Sequence, residues 1–225
     1  MDWLGFAVLV VVLTASGALA PGPLFFATLL MGVKKGGWSG FKVAVVHSAV
    51  ELPLVLLLAL GLLTVLNVTA VKLALGIGGG VVLIALGLLQ LRDGVNAWRR
   101  RVDFFEVDEK KGSGAARLMD NPFFVGAVLS AFNPFFILWW LTIGAQLVLE
   151  ALALAALVGV LIMYVLHVWM DYAWLTVVAR AAHTGRKLLS PKSYAATLAV
   201  FGVVLILFGA HFISKVAFEV PILPL

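Results

Sequence analysis

Long apolar stretches separated by short polar segments dominate this chain. Six of them contain at least about 20 mostly apolar residues, the length that a helix needs to cross the hydrocarbon core of a bilayer. These stretches cover residues 4–33, 41–66, 71–91, 123–149, 152–179 and 195–217. The pattern predicts an all-α membrane protein with six transmembrane helices.

The composition agrees with that prediction. Of the 225 residues, 63% are hydrophobic and only 12% are charged, and the mean hydropathy is +1.12. Such a chain cannot form a soluble domain with an ordinary polar surface. Cysteine is absent, which excludes disulfides and thiolate metal sites.

The basic residues are sorted along the chain. Of the 16 lysines and arginines, 14 follow the first, third or fifth predicted helix, and only Lys72 and Lys215 lie at the opposite ends. Because cytoplasmic loops carry an excess of Lys and Arg, these three loops are predicted to be cytoplasmic and both termini external, in the cell membrane. The net charge of +5 then reflects topology, and no nucleic-acid partner is expected.

The charged segment 92–121 divides the chain into two halves, 1–91 and 122–225, with three predicted helices in each. An odd number of crossings places the second half in the membrane in the opposite orientation to the first. This predicts two inverted three-helix repeats, an arrangement of many secondary transporters, joined by a cytoplasmic loop.

Proline interrupts the first and fourth predicted helices, at Pro21-Gly22-Pro23 and at Asn133-Pro134. With a rise of about 1.5 Å per residue, each break lies near the bilayer midplane. The helix that begins after each break has amides without partners and a partly positive end. We therefore predict that these five residues bind an anionic group of a substrate, with Gly22 allowing close approach.

The second and fifth predicted helices each carry a histidine followed four residues later by a carboxylate, His47 with Glu51 and His167 with Asp171. Ionisable groups in hydrocarbon cost at least ~2.5–3.5 kcal/mol each, so four of them predict a functional site. The two helices run in opposite directions, which allows crosswise pairing of histidine and carboxylate. Glu51 and Asp171 are candidates for binding a substrate ammonium group, and all four residues are candidates for proton coupling.

The chain also resembles a known family. The resemblance is carried by Pro21-Gly22-Pro23, Gly32, Gly36, Gly40 and Asn133-Pro134. This pattern is similar to that of the lysine exporter (LysE) translocator family, whose members export amino acids and related compounds. Gln146 follows Ala145 here, where many members have proline, and the His and carboxylate pairs also depart from the amino-acid-exporting branches. These departures favour an archaeal branch, so lysine is not assumed as the substrate.

The resemblance implies an exporter of small, amino-acid-like solutes that works without enzymatic catalysis, a bound metal or another cofactor. Two other functions explain the polar pairs. Two imidazoles and two carboxylates suit a transported divalent metal, and the same groups could serve an intramembrane enzyme. The paired helix breaks favour the carrier. The glycine-rich faces are compatible with a homodimer.

Overall fold

The computed structural model describes residues 2–61, 69–100, 118, 120–186, 190–218, 220 and 222. All regular secondary structure within these ranges is helical. The helices are α1 (Trp3–Ala18), α2 (Pro23–Lys35), α3 (Ser39–Ala59), α4 (Thr69–Arg100), α5 (Pro122–Ala131), α6 (Pro134–Trp139), α7 (Ala145–Gly185) and α8 (Pro191–Phe218). A π-helical segment, Trp140–Gly144, joins α6 to α7. The predicted all-helical class is confirmed.

Several of these helices can cross a membrane. Four apolar segments of the described chain are long enough, namely Ser39–Ala59, Gly76–Arg99, Phe135–Gly185 and Ala195–Phe218. The bent pair of α1 and α2 makes a fifth if it is one span. The protein is therefore a multi-pass membrane protein. Helix α4 runs past the predicted end at residue 91, and residues 101–117 and 119 of the predicted loop lie outside the described residues.

Helix α7 contains a reversal of the chain at Ala155 and Ala156, whose φ/ψ angles of −156°/36° and 48°/−138° are not helical. Trp140 and His167 lie on opposite sides of this turn, and their ring centroids are 5.0 Å apart. In a straight helix, 27 residues would separate them by about 40 Å. The two arms of α7, 145–154 and 157–185, therefore fold back on each other, close to the predicted boundary between the fourth and fifth stretches.

The first proline motif produces a bend of 71° between α1 and α2. Helix α1 ends at Ala18, and α2 starts at Pro23 with Gly22 as its N-cap. Proline fits the first helical position because the amide that it lacks would have no partner there. The predicted interruption of the first helix is present.

The second motif separates α5 from α6. Asn133 is the N-cap of α6, and its side-chain oxygen accepts a hydrogen bond from the amide of Phe135 over 3.1 Å. One of the amides that we predicted to be available to a substrate is thus already bound by Asn133. The predicted break is present, but its backbone is less open than expected.

Two glycines of the family pattern let α2 and α3 approach α7 closely. A Cβ atom at Gly32 would contact the backbone of Ala179, and one at Gly40 would contact the backbone of Leu175. Gly36, which ends α2, has φ of +94°, a conformation that L side chains rarely adopt. These glycines position α3 beside the second arm of α7.

Helices α4 and α8 pack against each other along a seam of small residues, as is common between membrane helices. A Cβ at Gly80 would lie 2.7 Å from the carbonyl oxygen of Gly209, and one at Gly87 would lie 2.6 Å from that of Gly202. The order of these contacts makes the two helices antiparallel. The seam is apolar and lies apart from the histidines and carboxylates described below.

Two apolar clusters complete the core. The first joins α2, α4, α5 and α8 through residues that include Ala27, Leu83, Val125 and Leu198. The second joins α1, α3 and both arms of α7 through residues that include Phe6, Val55, Leu147 and Val160. The second cluster packs beside the buried polar groups.

Candidate functional site

The four ionisable residues singled out in the sequence come together between α3 and the second arm of α7. His47 and Glu51 lie one turn apart on α3, and His167 and Asp171 do so on α7. Their exposed fractions are 6%, 1%, 3% and 5%, respectively. Since residues four apart share a helical face, each pair presents both side chains to the other helix.

Glu51 forms the link between the two helices. Its Oε1 atom lies 3.1 Å from Nε2 of His167 and 3.6 Å from Nε2 of His47. On α7, Nε2 of His167 lies 3.5 Å from Oδ2 of Asp171. One ligand atom from each of His47, Glu51 and Asp171 lies within 4.8 Å of the others. The cluster therefore contains a crosswise contact, between Glu51 and His167, of the kind that opposite helix directions allow.

Hydroxyl groups bind the remaining nitrogen of both imidazole rings. Nδ1 of His47 is 2.8 Å from Oγ of Ser130, and Nδ1 of His167 is 2.9 Å from Oγ1 of Thr14. Both hydroxyls are fully buried, and each comes from the helix that precedes a break, α5 or α1. The breaks are thus connected to the polar cluster through the helices before them.

Aromatic rings enclose the cluster. The indole of Trp140 is fully buried and donates a hydrogen bond to Oε1 of Glu51 over 3.1 Å. The ring of Phe136 lies 5.0 Å from that of His47, and the ring of Trp139 lies 5.4 Å from that of His167. Trp140 begins the π-helical segment, and such segments often occur at functional sites.

Two tyrosines fix the position of α3 relative to α7. The hydroxyl of Tyr172 lies 2.7 Å from Oγ of Ser48, and the hydroxyl of Tyr164 donates to the backbone carbonyl of Ser48 over 2.9 Å. Ser48 follows His47 directly, so these bonds hold the first histidine in place.

Two buried carboxylate oxygens of the cluster have no hydrogen-bond partner within the described part of the chain, Oε2 of Glu51 and Oδ2 of Asp171. Leaving such oxygens unpaired away from water is costly. A proton, an ammonium group or a metal cation would satisfy them. The arrangement is therefore suited to binding a positively charged species.

The predicted residues at the helix breaks have mixed surroundings. Pro21 is exposed, Pro23 is buried and Gly22 lies between these extremes. A Cβ at Gly22 would meet no atom within 4 Å, so there is room beside this backbone. Asn133 is buried and caps α6, and the side chain of Pro134 is outside the described part. No described hydrogen bond joins either break directly to Glu51 or Asp171.

Sequence reasoning missed three residues of the site: Thr14, Ser130 and Trp140. A single hydroxyl or indole in an apolar helix is usually a packing residue. One signal for Ser130 was present, because this serine lies three residues before Asn133 and so one turn from the break.

The comparisons with known proteins identify the family. The model of the LysE type translocator matches residues 15–216, which include both helix breaks and all four ionisable residues of the cluster. The chain belongs to the LysE type translocator family. No curated protein and no solved structure matches it.

The family membership confirms the resemblance seen in the sequence. Members of the LysE family are transporters rather than enzymes. The protein is accordingly a membrane exporter of small solutes, and its partners include a small-molecule substrate and the surrounding lipid.

Proposed function

We propose that this LysE family member is a proton-coupled secondary transporter that exports amino acids or related compounds, with His47, Glu51, His167 and Asp171 at its centre. The observation that carries the proposal is the buried contact of 3.1 Å between Glu51 and His167. This contact joins two helices that a carrier would move relative to each other, so a change in its charge would alter how they pack.

The substrate class follows from the charges available. Glu51 and Asp171 each offer a carboxylate oxygen without a hydrogen bond in the described part of the chain, which suits an ammonium group. Gly22 offers open space at the N-terminus of the 13-residue helix α2, where backbone amides and the helix dipole favour an anionic group. An amino acid carries both groups. The amino acid would be released without chemical change, as expected of a carrier and not of an enzyme.

Proton coupling is supported by the same cluster. Histidine changes its charge near physiological pH, and a buried carboxylate is strongly affected by its charged neighbours. A proton bound by the cluster from one side of the membrane and released to the other would drive substrate in the opposite direction. We assign this coupling to all four residues.

The architecture that we propose has six crossings in two inverted repeats, 1–91 and 122–225. The first repeat consists of the α1–α2 pair, α3 and α4. In the second repeat, α5, α6 and the first arm of α7 together form one crossing, the second arm of α7 forms the next, and α8 forms the last. Equivalent positions in the two halves support this arrangement. An offset of about 120 residues relates His47 to His167. A similar offset relates Gly80 to Gly202 and Gly87 to Gly209, so exchanging the two halves converts the contact of Gly80 with Gly209 into that of Gly87 with Gly202.

The orientation that we propose places the three basic loops in the cytoplasm of a cell whose plasma membrane holds the protein. Contacts between these loops support a common side. Lys34 forms an ion pair of 3.0 Å with Asp120, and the guanidinium of Arg180 lies 4.7 Å from the ring centroid of Trp38. Arg186 donates to the carbonyl of Val33 over 3.3 Å. Both termini would then be external.

The proposal is tested by counterflow in proteoliposomes loaded with unlabelled amino acids and supplied with labelled ones. We expect wild-type protein to exchange at least one amino acid without altering it. Glu51→Gln and Asp171→Asn should abolish exchange. Glu150→Gln is the matched control, because Glu150 is an exposed carboxylate of α7 outside the cluster. Normal exchange by both cluster variants, or a chemically altered substrate, would contradict the proposal.

A further inference from the structure

We infer that His47, Glu51 and Asp171 form a binding site for one first-row divalent cation such as Zn²⁺, with His167 beside it. The inference concerns the same cluster as the proposed function. It rests on the proposed transporter only for the path by which an ion would reach this buried cluster. It is carried by the spacing of the donor atoms, the orientation of one imidazole and the two unpartnered oxygens.

The donor atoms have the spacing of ligands around a single ion. Zinc binds nitrogen and carboxylate oxygen at about 2.0–2.2 Å, so neighbouring ligands of a tetrahedral ion lie about 3.4 Å apart. Ligand atoms of His47, Glu51 and Asp171 all lie within 4.8 Å of one another, and Nε2 of His47 lies 3.6 Å from Oε1 of Glu51. The contact of 3.6 Å is too long for a good hydrogen bond but is close to the spacing of metal ligands.

The hydrogen bonds of Ser130 determine which nitrogen of His47 carries a proton. The hydroxyl of Ser130 donates its only hydrogen to the carbonyl of Gly126 over 2.6 Å. It can therefore only accept from Nδ1 of His47, over 2.8 Å. In the neutral ring, Nε2 then presents a lone pair.

That lone pair faces Oε1 of Glu51 at 3.6 Å. Two electron-rich atoms at this distance repel each other unless a proton or a metal cation lies between them. An imidazole that donates its other N–H to an outer oxygen, with its free nitrogen aimed at carboxylates, has the usual arrangement of a metal-binding histidine.

The unpartnered oxygens complete the ligand set. Oε2 of Glu51 and Oδ2 of Asp171 belong to side chains that are 1% and 5% exposed. A divalent ion would bind both carboxylates. A ligand set of one imidazole nitrogen and two carboxylates favours first-row transition ions and Zn²⁺, whereas Mg²⁺ and Ca²⁺ prefer oxygen alone.

The test is equilibrium binding of Zn²⁺ to purified, detergent-solubilised protein without a polyhistidine tag, measured by calorimetry after chelator treatment. We expect one Zn²⁺ per chain and no comparable heat from Mg²⁺. His47→Gln and Asp171→Asn should each weaken Zn²⁺ binding at least 10-fold. His183→Gln is the matched control, since His183 lies outside the cluster, and it should bind as wild type does.

Ser130→Ala provides a second test that keeps all three ligands and removes the hydroxyl that accepts from His47. Removing an outer hydroxyl typically weakens metal affinity about 10-fold or more, so a Zn²⁺ affinity equal to wild type would count against the site. Absence of Zn²⁺ binding by the wild-type chain, or equal binding by the ligand variants, overturns the inference. Because this assay measures no transport, amino acid counterflow by a chain that binds no Zn²⁺ would overturn the metal site and leave the proposed exporter intact.

Discussion

The two buried carboxylates occupy corresponding positions on their helices, but their surroundings differ. Oε1 of Glu51 lies 3.1 Å from both the indole nitrogen of Trp140 and Nε2 of His167. Asp171 forms an ion pair of 3.5 Å with His167, and its Oδ2 has no hydrogen bond in the described part of the chain. Glu51 therefore helps to hold the two helices together, whereas Asp171 has more capacity for an added cation.

This difference assigns Glu51 mainly to the stability of the protein and Asp171 mainly to its function. A carboxylate that is well bonded contributes to folding, and removing it leaves its partners unsatisfied. A buried carboxylate with few bonds is destabilising on its own, and such groups are typically retained where function requires them. The following predictions test this comparison, beginning with the largest expected effect.

Glu51→Ala should destabilise the protein far more than Asp171→Ala. Loss of Glu51 breaks a buried, paired network, which typically costs about 3–5 kcal/mol. Loss of Asp171 should cost less, because its Oδ2 has no hydrogen bond in the described part of the chain and only a long ion-pair contact of 3.5 Å with His167. Thermal unfolding of both variants in the same detergent measures the difference. Equal destabilisation would show that the two carboxylates are equivalent.

Trp140→Phe should reduce stability by roughly 1.5–3 kcal/mol, the range for a hydrogen bond to a charged group. The ring is retained, so the loss reports mainly on the bond to Glu51. Trp139→Phe is the matched control, since the indole of Trp139 donates to the neutral hydroxyl of Ser16 over 3.2 Å. A larger loss for the Trp139 variant would contradict the assigned role of Trp140.

Ser130→Ala and Thr14→Val should each reduce stability by about 0.5–1.5 kcal/mol, the net value of a typical hydrogen bond. Each should also slow amino acid counterflow, because the imidazole ring loses the group that orients it. Thr142→Val serves as the control. Its hydroxyl is exposed and bonds carbonyls of its own helix. If the three variants exchange substrate equally well, the hydroxyls do not position the histidines.

Gly22→Ala should change stability by less than about 1 kcal/mol. The added methyl group meets no atom within 4 Å, and φ of −89° suits alanine. Counterflow should nevertheless fall, because the methyl group would occupy space that we assign to the substrate. Gly78→Ala is the control, since its methyl group also meets nothing. Unaltered counterflow by the Gly22 variant would exclude this backbone from the substrate site.

Much of this picture could be predicted from the sequence. Hydropathy identifies helices because lipid tolerates little other backbone structure. Proline and glycine mark the breaks at 19–22 and 132–133 for steric reasons, and the histidine and carboxylate pairs are conspicuous because ionisable groups are rare in apolar helices.

Other features could not be predicted. The hydropathy pattern places a boundary at 150–151, but the reversal at Ala155 and Ala156 has neither glycine nor proline at the turn itself, so the pattern could not locate it to the residue. Thr14, Ser130 and Trp140 became visible as site residues only when the fold brought them to His167, His47 and Glu51. Their roles depend on contacts between segments more than 80 residues apart, which no local pattern encodes.

Proton movement accompanying substrate is the most direct test of the account. Proteoliposomes containing a pH-sensitive dye and wild-type protein should show a change in lumenal pH when a transported amino acid is added. Asp171→Asn should abolish that change, while Glu150→Gln should preserve it. Substrate-dependent proton movement of normal size in the Asp171→Asn protein would contradict the central claim that the buried cluster couples protons to export.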